Sequence, residues 1–328
     1  MKLTHLFERF RGQIPYVGYT AFYFAAFSGF LFLSFPYRIL RDRIVLDFER
    51  DQAKSPHPKT LSIEAISAAW GGVRATGVRI VTPGEKAGEK PSALAITDLV
   101  VKPSLTALLG GGTDVAFYAN LLGGHVDGRF ISSPSEKSIH VKMTKIDLRQ
   151  SESAASLIGL PVEGIVDGTL RLEIPEGKGA KANGAVQMEI TELALGDGKS
   201  KFRDQLAMPK LSVGTLYVSA EAKEGSLKIA KLGAAGKDLD FLGEGRIKVN
   251  DFLGDSAVES TFRFRVSDAY RGKSEVTTSL FGKPGSSIPG IVEIAEPRLR
   301  AARRLDGFYS FRVRGTIDRL EFTPDPGT

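Results

Sequence analysis

VEGIVDGTLRLEI, residues 162–174, sets Val162, Val166, Leu170, Leu172 and Ile174 at even positions and Glu163, Asp167, Thr169, Arg171 and Glu173 at odd ones. Successive side chains of a strand point to opposite faces, so this period of two predicts a strand or hairpin with one face buried and one wet. The same rhythm recurs on both sides of it, in Ile139, Val141, Met143, in Val186, Met188, Ile190, and in Ile247, Val249. It appears again in Phe262, Phe264, Val266 and in Phe311, Val313, then Ile317. Past Met143 the phase moves to Ile146 and Leu148, the shift that one extra residue at a β-bulge produces. The chain from residue 60 onward therefore reads as mainly antiparallel β.

Glycine fits this reading. It fills 36 of 328 positions, above the usual ~7%, and is spread without a period, as tight turns between strands require. One phrase repeats: Gly124, Val126, Asp127 and Gly128 match Gly164, Val166, Asp167 and Gly168, with Gly243 and Gly245 as a looser echo. Glycines on one strand face leave it bare, so the sheet can bend sharply there or be approached closely; ordinary twisted-sheet glycine is the plain alternative. Short helices are expected at 103–109 and 151–158, each with a serine to cap it and a glycine, Gly110 or Gly159, to end it. A third, over 293–305, is broken by Pro297.

Upstream of the strands lies IPYVGYTAFYFAAFSGFLFLSF, residues 14–35, with no charge between Arg11 and Arg38. As a helix rising about 1.5 Å per residue it spans roughly 33 Å, slightly more than the ~30 Å hydrocarbon core of a bilayer. Tyr16 and Tyr37 mark its ends, with Lys2, Arg9 and Arg11 on one flank and Arg38, Arg41 and Arg43 on the other. The division that follows is a tail over 1–13, a transmembrane helix over 14–35, a juxtamembrane connector over 36–59 and a β-rich domain over 60–328. A cleavable signal peptide and a buried core helix are the alternatives; the first needs a shorter apolar core and a small-residue cleavage site, whereas Phe35, Pro36 and Tyr37 follow here. The flanking charges tie and leave the orientation open.

Motifs for chemistry are scarce. The net charge of +6 comes without any basic run interleaved with stacking aromatics, so nucleic acid is not an expected partner. Zero cysteines exclude disulfides, thiolate metal sites and a cysteine nucleophile. His5, His57, His125 and His140 show no zinc-binding spacing. Residues 196–200, GDGKS, end like a phosphate loop, but Leu193 stands where that loop needs glycine, and Gly110-Gly111-Gly112 lacks dinucleotide-site spacing. No nucleophile elbow and no selected carboxylate pair is present. The expectation is a non-enzymatic protein with no catalytic, cofactor-binding or metal residues and no nucleotide. Two candidate surfaces remain. The apolar positions Val162, Val166, Leu170, Leu172 and Ile174 are candidate groove lining. Arg298, Arg300, Arg303 and Arg304 are candidate contacts to anionic lipid headgroups, each contributing on the order of 1 kcal/mol near such a surface, unless they form an ordinary solvated helix face.

The order of parts also carries a likeness. After the apolar run come LSIEAISAAWGGVRATGVRI (61–80), PSLTALLGGG (103–112), LLGGHVDGRF (121–130), LIGLPVEGIVDGTLRLEI (157–174), LGAAGKDLDFLGEGRIKV (232–249) and GFYSFRVRGTIDRLEFTPDP (307–326). Together they resemble the type II secretion system protein N (GspN) family, in the long form of myxobacterial relatives. The phrases LPVEGIVDGTL and GKDLDFLGEGRI are also similar to the wider AsmA-like group of inner-membrane-anchored proteins. The resemblance implies an elongated, curved antiparallel sheet with an apolar groove and a single-pass bacterial inner-membrane protein whose bulk is periplasmic. It implies other type II secretion components as partners and membrane lipids as further candidates. It brings no catalytic or cofactor residue. Two functions follow as expectations: an assembly or scaffold role in type II secretion, or a lipid-binding or lipid-transfer module that uses the apolar β groove.

Overall fold

The alternation at 162–174 folds as one 14-residue strand, Val162–Pro175, about 46 Å long at ~3.3 Å per residue. The structure, a computed structural model, describes residues 19–20, 22–23, 26–27, 29–30, 34–53, 58–83, 91–158, 160–199, 201–202, 206–207, 209–251, 253–286 and 288–327.

Strands dominate it. In chain order they are β1 (Thr60–Ser62), β2 (Ala65–Ala69), β3 (Gly72–Thr82), β4 (Ser92–Pro103), β5 (Thr113–Leu121) and β6 (Gly124–Ser132). Then come β7 (Glu136–Asp147), β8 (Val162–Pro175), β9 (Asn183–Leu195), the short β10 (Lys201–Phe202) and β11 (Leu206–Ala207), and β12 (Leu211–Lys223). The last are β13 (Ser226–Ala235), β14 (Leu239–Lys248), β15 (Ala257–Val266), β16 (Tyr309–Thr316) and β17 (Arg319–Pro324). All but β10 and β11 form one open antiparallel sheet of 15 strands, in which β3 to β9 and then β12 to β17 each lie beside the next in sequence. The reason is local: most turns are too short to carry a strand anywhere but back along its neighbour. The phase shift after Met143 is real, because the β7–β8 register slips between Met143 and Ile146 and Lys145 takes φ 54°. That single left-handed residue returns Ile146 to the apolar side.

Helices are few and mostly short. Helix α1 (Tyr37–Gln52) fills most of the expected connector and buries none of its residues. Arg41 Nη1 reaches the Glu64 carbonyl from it at 3.4 Å, next to β2. The expected helix at 103–109 is α2 (Leu105–Leu109), and the one at 151–158 is α3 (Glu152–Ile158), where Ser151 Oγ accepts from the Ala154 amide at 3.1 Å. Between β15 and β16 lie α4 (Asp268–Arg271), α5 (Glu275–Phe281), α6 (Ile291–Ala295) and α7 (Pro297–Ala301). The break expected at Pro297 is present, with proline opening α7.

Among the described residues no helix is long and apolar enough to cross a membrane. The expected tail 1–13 and most of the expected span 14–35 lie outside the described residues. The described positions between 19 and 34 are helical, with Tyr19, Phe22, Tyr23, Phe27 and Phe30 all exposed.

The core is divided. At one end of the strands Val162, Leu193, Leu211, Val213, Ala234, Leu239 and Val266 pack with Tyr270 from the insertion after β15. At the other end Leu172, Ile174, Ala182, Ala222 and Val249 form a second, smaller cluster.

Candidate functional site

Strand register sorts the side chains into two faces. Starting from Val101 on β4, the cross-strand partners run through Phe117, Gly128, Val141 and Leu170 to Val186 on β9. From Val186 they continue through Ala220, Ile229, Gly245, Ser260 and Val313 to Phe322 on β17. Only Ser260 in this row is polar. One residue along each strand, the row reads Lys102, Ala116, Arg129, His140 and Arg171, and later Lys228, Arg246, Glu259, Arg314 and Glu321. A one-residue offset thus exchanges an apolar face for a charged one across nearly the whole sheet.

The apolar face has one layer. Among the described residues the only other sheet is the β10–β11 pair, so no second sheet lies over the 15 strands. Coverage comes instead from the strand ends, where α3 and the insertion after β15 meet the first core cluster through Ala154, Tyr270 and Phe281. Between the two end cores, Leu170, Val186, Met188, Val218 and Ile229 are neither buried nor in either cluster. Phe130, Leu320 and Phe322 of the same face are exposed. Toward β17 the face becomes aromatic: Phe262 stacks on Phe311 at 5.4 Å, Phe264 on Tyr309 at 5.2 Å, and Phe322 meets Phe262 edge-on at 6.1 Å.

Glycines shape this face. Gly128 and Gly168 of the repeated phrase, and Gly243, all point their missing side chains toward it. The vacant places are overlain by neighbours. A Cβ at Gly128 would strike the Phe117 ring, one at Gly243 the Leu232 side chain, and one at Gly168 would lie 3.3 Å from Met143 Cε. Phe117 across from Gly128 is a cross-strand aromatic filling the gap a glycine leaves.

The five candidate lining residues do not share one environment. Val162 belongs to the first end core and Leu172 and Ile174 to the second; Val166 and Leu170 lie between them, Val166 buried all the same. Leu170 is half-buried, flanked by Val141 and Val186. The arginine cluster divides as well. Arg298 and Arg300 are exposed on α7. Arg303 instead turns inward to Glu293, which is only 3% exposed, at 3.4 Å, and Arg304 lies 3.6 Å from Asp306.

On the charged face a hollow of about 750 Å³ is lined by Lys102, Asp114, Arg129, His140, Arg171 and Gln187, among others. Arg129 donates to both carboxylate oxygens of Asp114, at 2.8 and 2.6 Å, and this hydrogen bonding holds the Asp114 carboxyl below its ordinary range. Such pairs are a solvated strand face satisfying itself. His125 meets Asn120 at 2.5 Å and His140 lies 3.9 Å from Glu173. Lys199 bonds back to Asp197 in a loop after β9, far from a strand-to-helix turn.

Sequence reasoning put Phe262, Phe264 and Phe311 on alternating strand positions but did not give the stacking among their rings, and it missed helices α4 and α5, which cover one end core. The signal for α5 was Ser274 three residues before Thr277, a capping pair without the usual glutamate. Comparison with protein-family models, with curated proteins and with solved structures gives no match to this chain.

Proposed function

We propose that this chain is a non-enzymatic, membrane-anchored protein whose sheet takes lipid acyl chains on its apolar face. The observation that carries this reading is the apolar row from Val101 to Phe322, which runs across twelve paired strands with no second sheet over it among the described residues. An apolar side that runs on from strand to strand without a covering sheet, and that exposes Phe130, Leu320 and Phe322, is the kind of contiguous apolar surface that marks a binding site. Acyl chains are the occupant that suits it. The apolar stretch over 14–35 is long enough to tether the sheet to a bilayer, and each buried methylene contributes roughly 0.8 kcal/mol without polar recognition. Glycines on the apolar side support a sheet that bends toward that side and forms a groove.

The resemblance to the type II secretion protein N family supplies the setting for this proposal: an inner-membrane anchor, a periplasmic body and other type II secretion components as partners. An assembly role there is compatible with lipid binding, because an acyl-lined sheet can be both scaffold and carrier. The test is direct. Replacing Leu170 and Val186 with Asp puts two charges on the middle of the face, away from Val166, which is 7% exposed. In an open face these changes leave a folded protein that no longer co-purifies with phospholipid; in a covered core they bury unpaired charges and unfold the domain. Extraction of phospholipid from both purified proteins, with their melting curves, decides. Lipid absent from the unmodified protein together with collapse of the double variant defeats the proposal.

A further inference from the structure

Arg271, the last residue of α4, is 7% exposed, yet its Nε has no hydrogen-bond partner. Among the described residues no carboxylate comes within ion-pair distance of its guanidinium. Arginine stays charged in proteins, and a donor buried without an acceptor is costly to a fold. Nearby groups do not balance it. Arg271 and Arg303 both act electrostatically on the buried Tyr309 hydroxyl, as does Glu293, which accepts from Tyr309 Oη at 2.5 Å. Glu293 already receives Arg303 at 3.4 Å. Around the Tyr309 hydroxyl that leaves two guanidinium groups to one carboxylate.

Arg271 and Arg303 line the same hollow of about 590 Å³, at the rim where the insertion after β15 meets the strand ends. Its other charges are Asp240, which holds Arg265 at 2.7 Å, Asp306, which lies beside Arg304, and Asp268, exposed on the first turn of α4 with no ion-pair partner among the described residues. We propose that this hollow binds a phosphate oxyanion, which completes the charge of the Arg271–Arg303–Glu293 cluster. A tetrahedral phosphate presents separate pairs of oxygens to two guanidinium forks, whereas a planar carboxylate has one pair to share. A volume in the range of small-molecule sites leaves room for the group that carries the phosphate. The site is separate from the apolar face, so its failure leaves the acyl-chain reading untouched.

The experiment is thermal melting of the full chain in detergent, titrated with inorganic phosphate and, separately, with glycerophosphoglycerol, the deacylated headgroup of phosphatidylglycerol. Sodium chloride at matched ionic strength is the control. The site predicts a saturable rise in midpoint, roughly 2–4 °C at a tenfold excess over Kd, with either probe. Saturation by phosphate alone identifies a free or monoester phosphate, and saturation by the diester identifies a lipid headgroup. Arg271→Met, which keeps the bulk and removes the charge, abolishes the rise. Gly285→Asp supplies an internal anion. Gly285 lines the hollow at φ 70° with open space where a Cβ would stand, a conformation aspartate tolerates. This variant melts higher than the unmodified protein without phosphate and no longer responds to it. A rise that never saturates, or one undiminished in Arg271→Met, overturns the site. If Arg271→Met does not fold, an undiminished response in Gly285→Asp overturns it equally.

Discussion

Gly128 has the Phe117 ring over its apolar side and the His140 carbonyl 2.7 Å from where a Cβ would stand. A side chain there must displace a backbone oxygen, which the sheet cannot yield cheaply. Gly128→Val is expected to cost on the order of 1–3 kcal/mol in urea unfolding. The same change at Gly111, where a Cβ meets nothing within 4 Å, leaves only the strain of φ 75°. Titration tells a second residue-scale story. Burial first, and for Tyr309 also the hydrogen bond to Glu293, pushes the phenols of Tyr270 and Tyr309 up to about 12. An unfolded tyrosine titrates near 10, so the folded state favours the neutral form. The stability this contributes is complete below about pH 10 and is lost as pH rises through about 12. Melting temperature should therefore fall across that window, and Tyr309→Phe, which cannot ionise, should show a shallower fall. A midpoint flat from pH 9 to 12 would contradict the burial of both rings. The alternation at 162–174 was enough to put Leu170 on the apolar side. It was silent on which neighbours of Leu170 would be covered, since Val162, Leu170 and Leu172 are equivalent by parity and differ only in distance from the strand ends.

Helices α4 and α5 show how much of an element can hide from periodicity. Runs of four and seven residues are too short to establish a 3.6-residue pattern, so their support is in the caps. Ser267 Oγ accepts from the Tyr270 amide at 3.2 Å. Ser274 Oγ accepts from the Thr277 amide at 3.1 Å while Thr277 Oγ1 accepts from the Ser274 amide at 2.9 Å. Thr277 is fully buried and its hydroxyl also reaches the Arg271 carbonyl, so the α5 cap is joined to the end of α4. Ser274→Ala should lower unfolding stability by about 1 kcal/mol, with no change in the strand signal of circular dichroism. Ser274→Asp, which can still accept that bond, should restore most of it. The bulge at Lys145 was legible for the opposite reason. An extra residue moves every later side chain by one position, and the break from Met143 to Ile146 is visible in the letters themselves.

On the scale of the molecule, the sheet has two faces of opposite chemistry and two outer strand edges, and its width places it among sheets that seldom stay open and flat. Orientation in the membrane is part of the proposed function. Alkaline phosphatase fused at the C-terminal end should be active, as a periplasmic body requires, and an active cytoplasmic reporter at that point would sink it. The alternation of Val162 to Ile174, the repeated glycine phrase and the short turns between runs determined by themselves an antiparallel, two-faced sheet. Covalent geometry makes side chains alternate along any strand, and a short turn leaves the next strand no place but beside the last. Tertiary structure alone decided that Val162, Leu172 and Ile174 are enclosed at the strand ends while Leu170 and Val186 are left between the two cores. It also decided that Arg303 turns inward to Glu293 while Arg298 and Arg300 stay in solvent. Those outcomes depend on which segments fold over each strand end, α3 and the insertion after β15 at the first core and Ala182, Ala222 and Val249 at the second, and no local period encodes them.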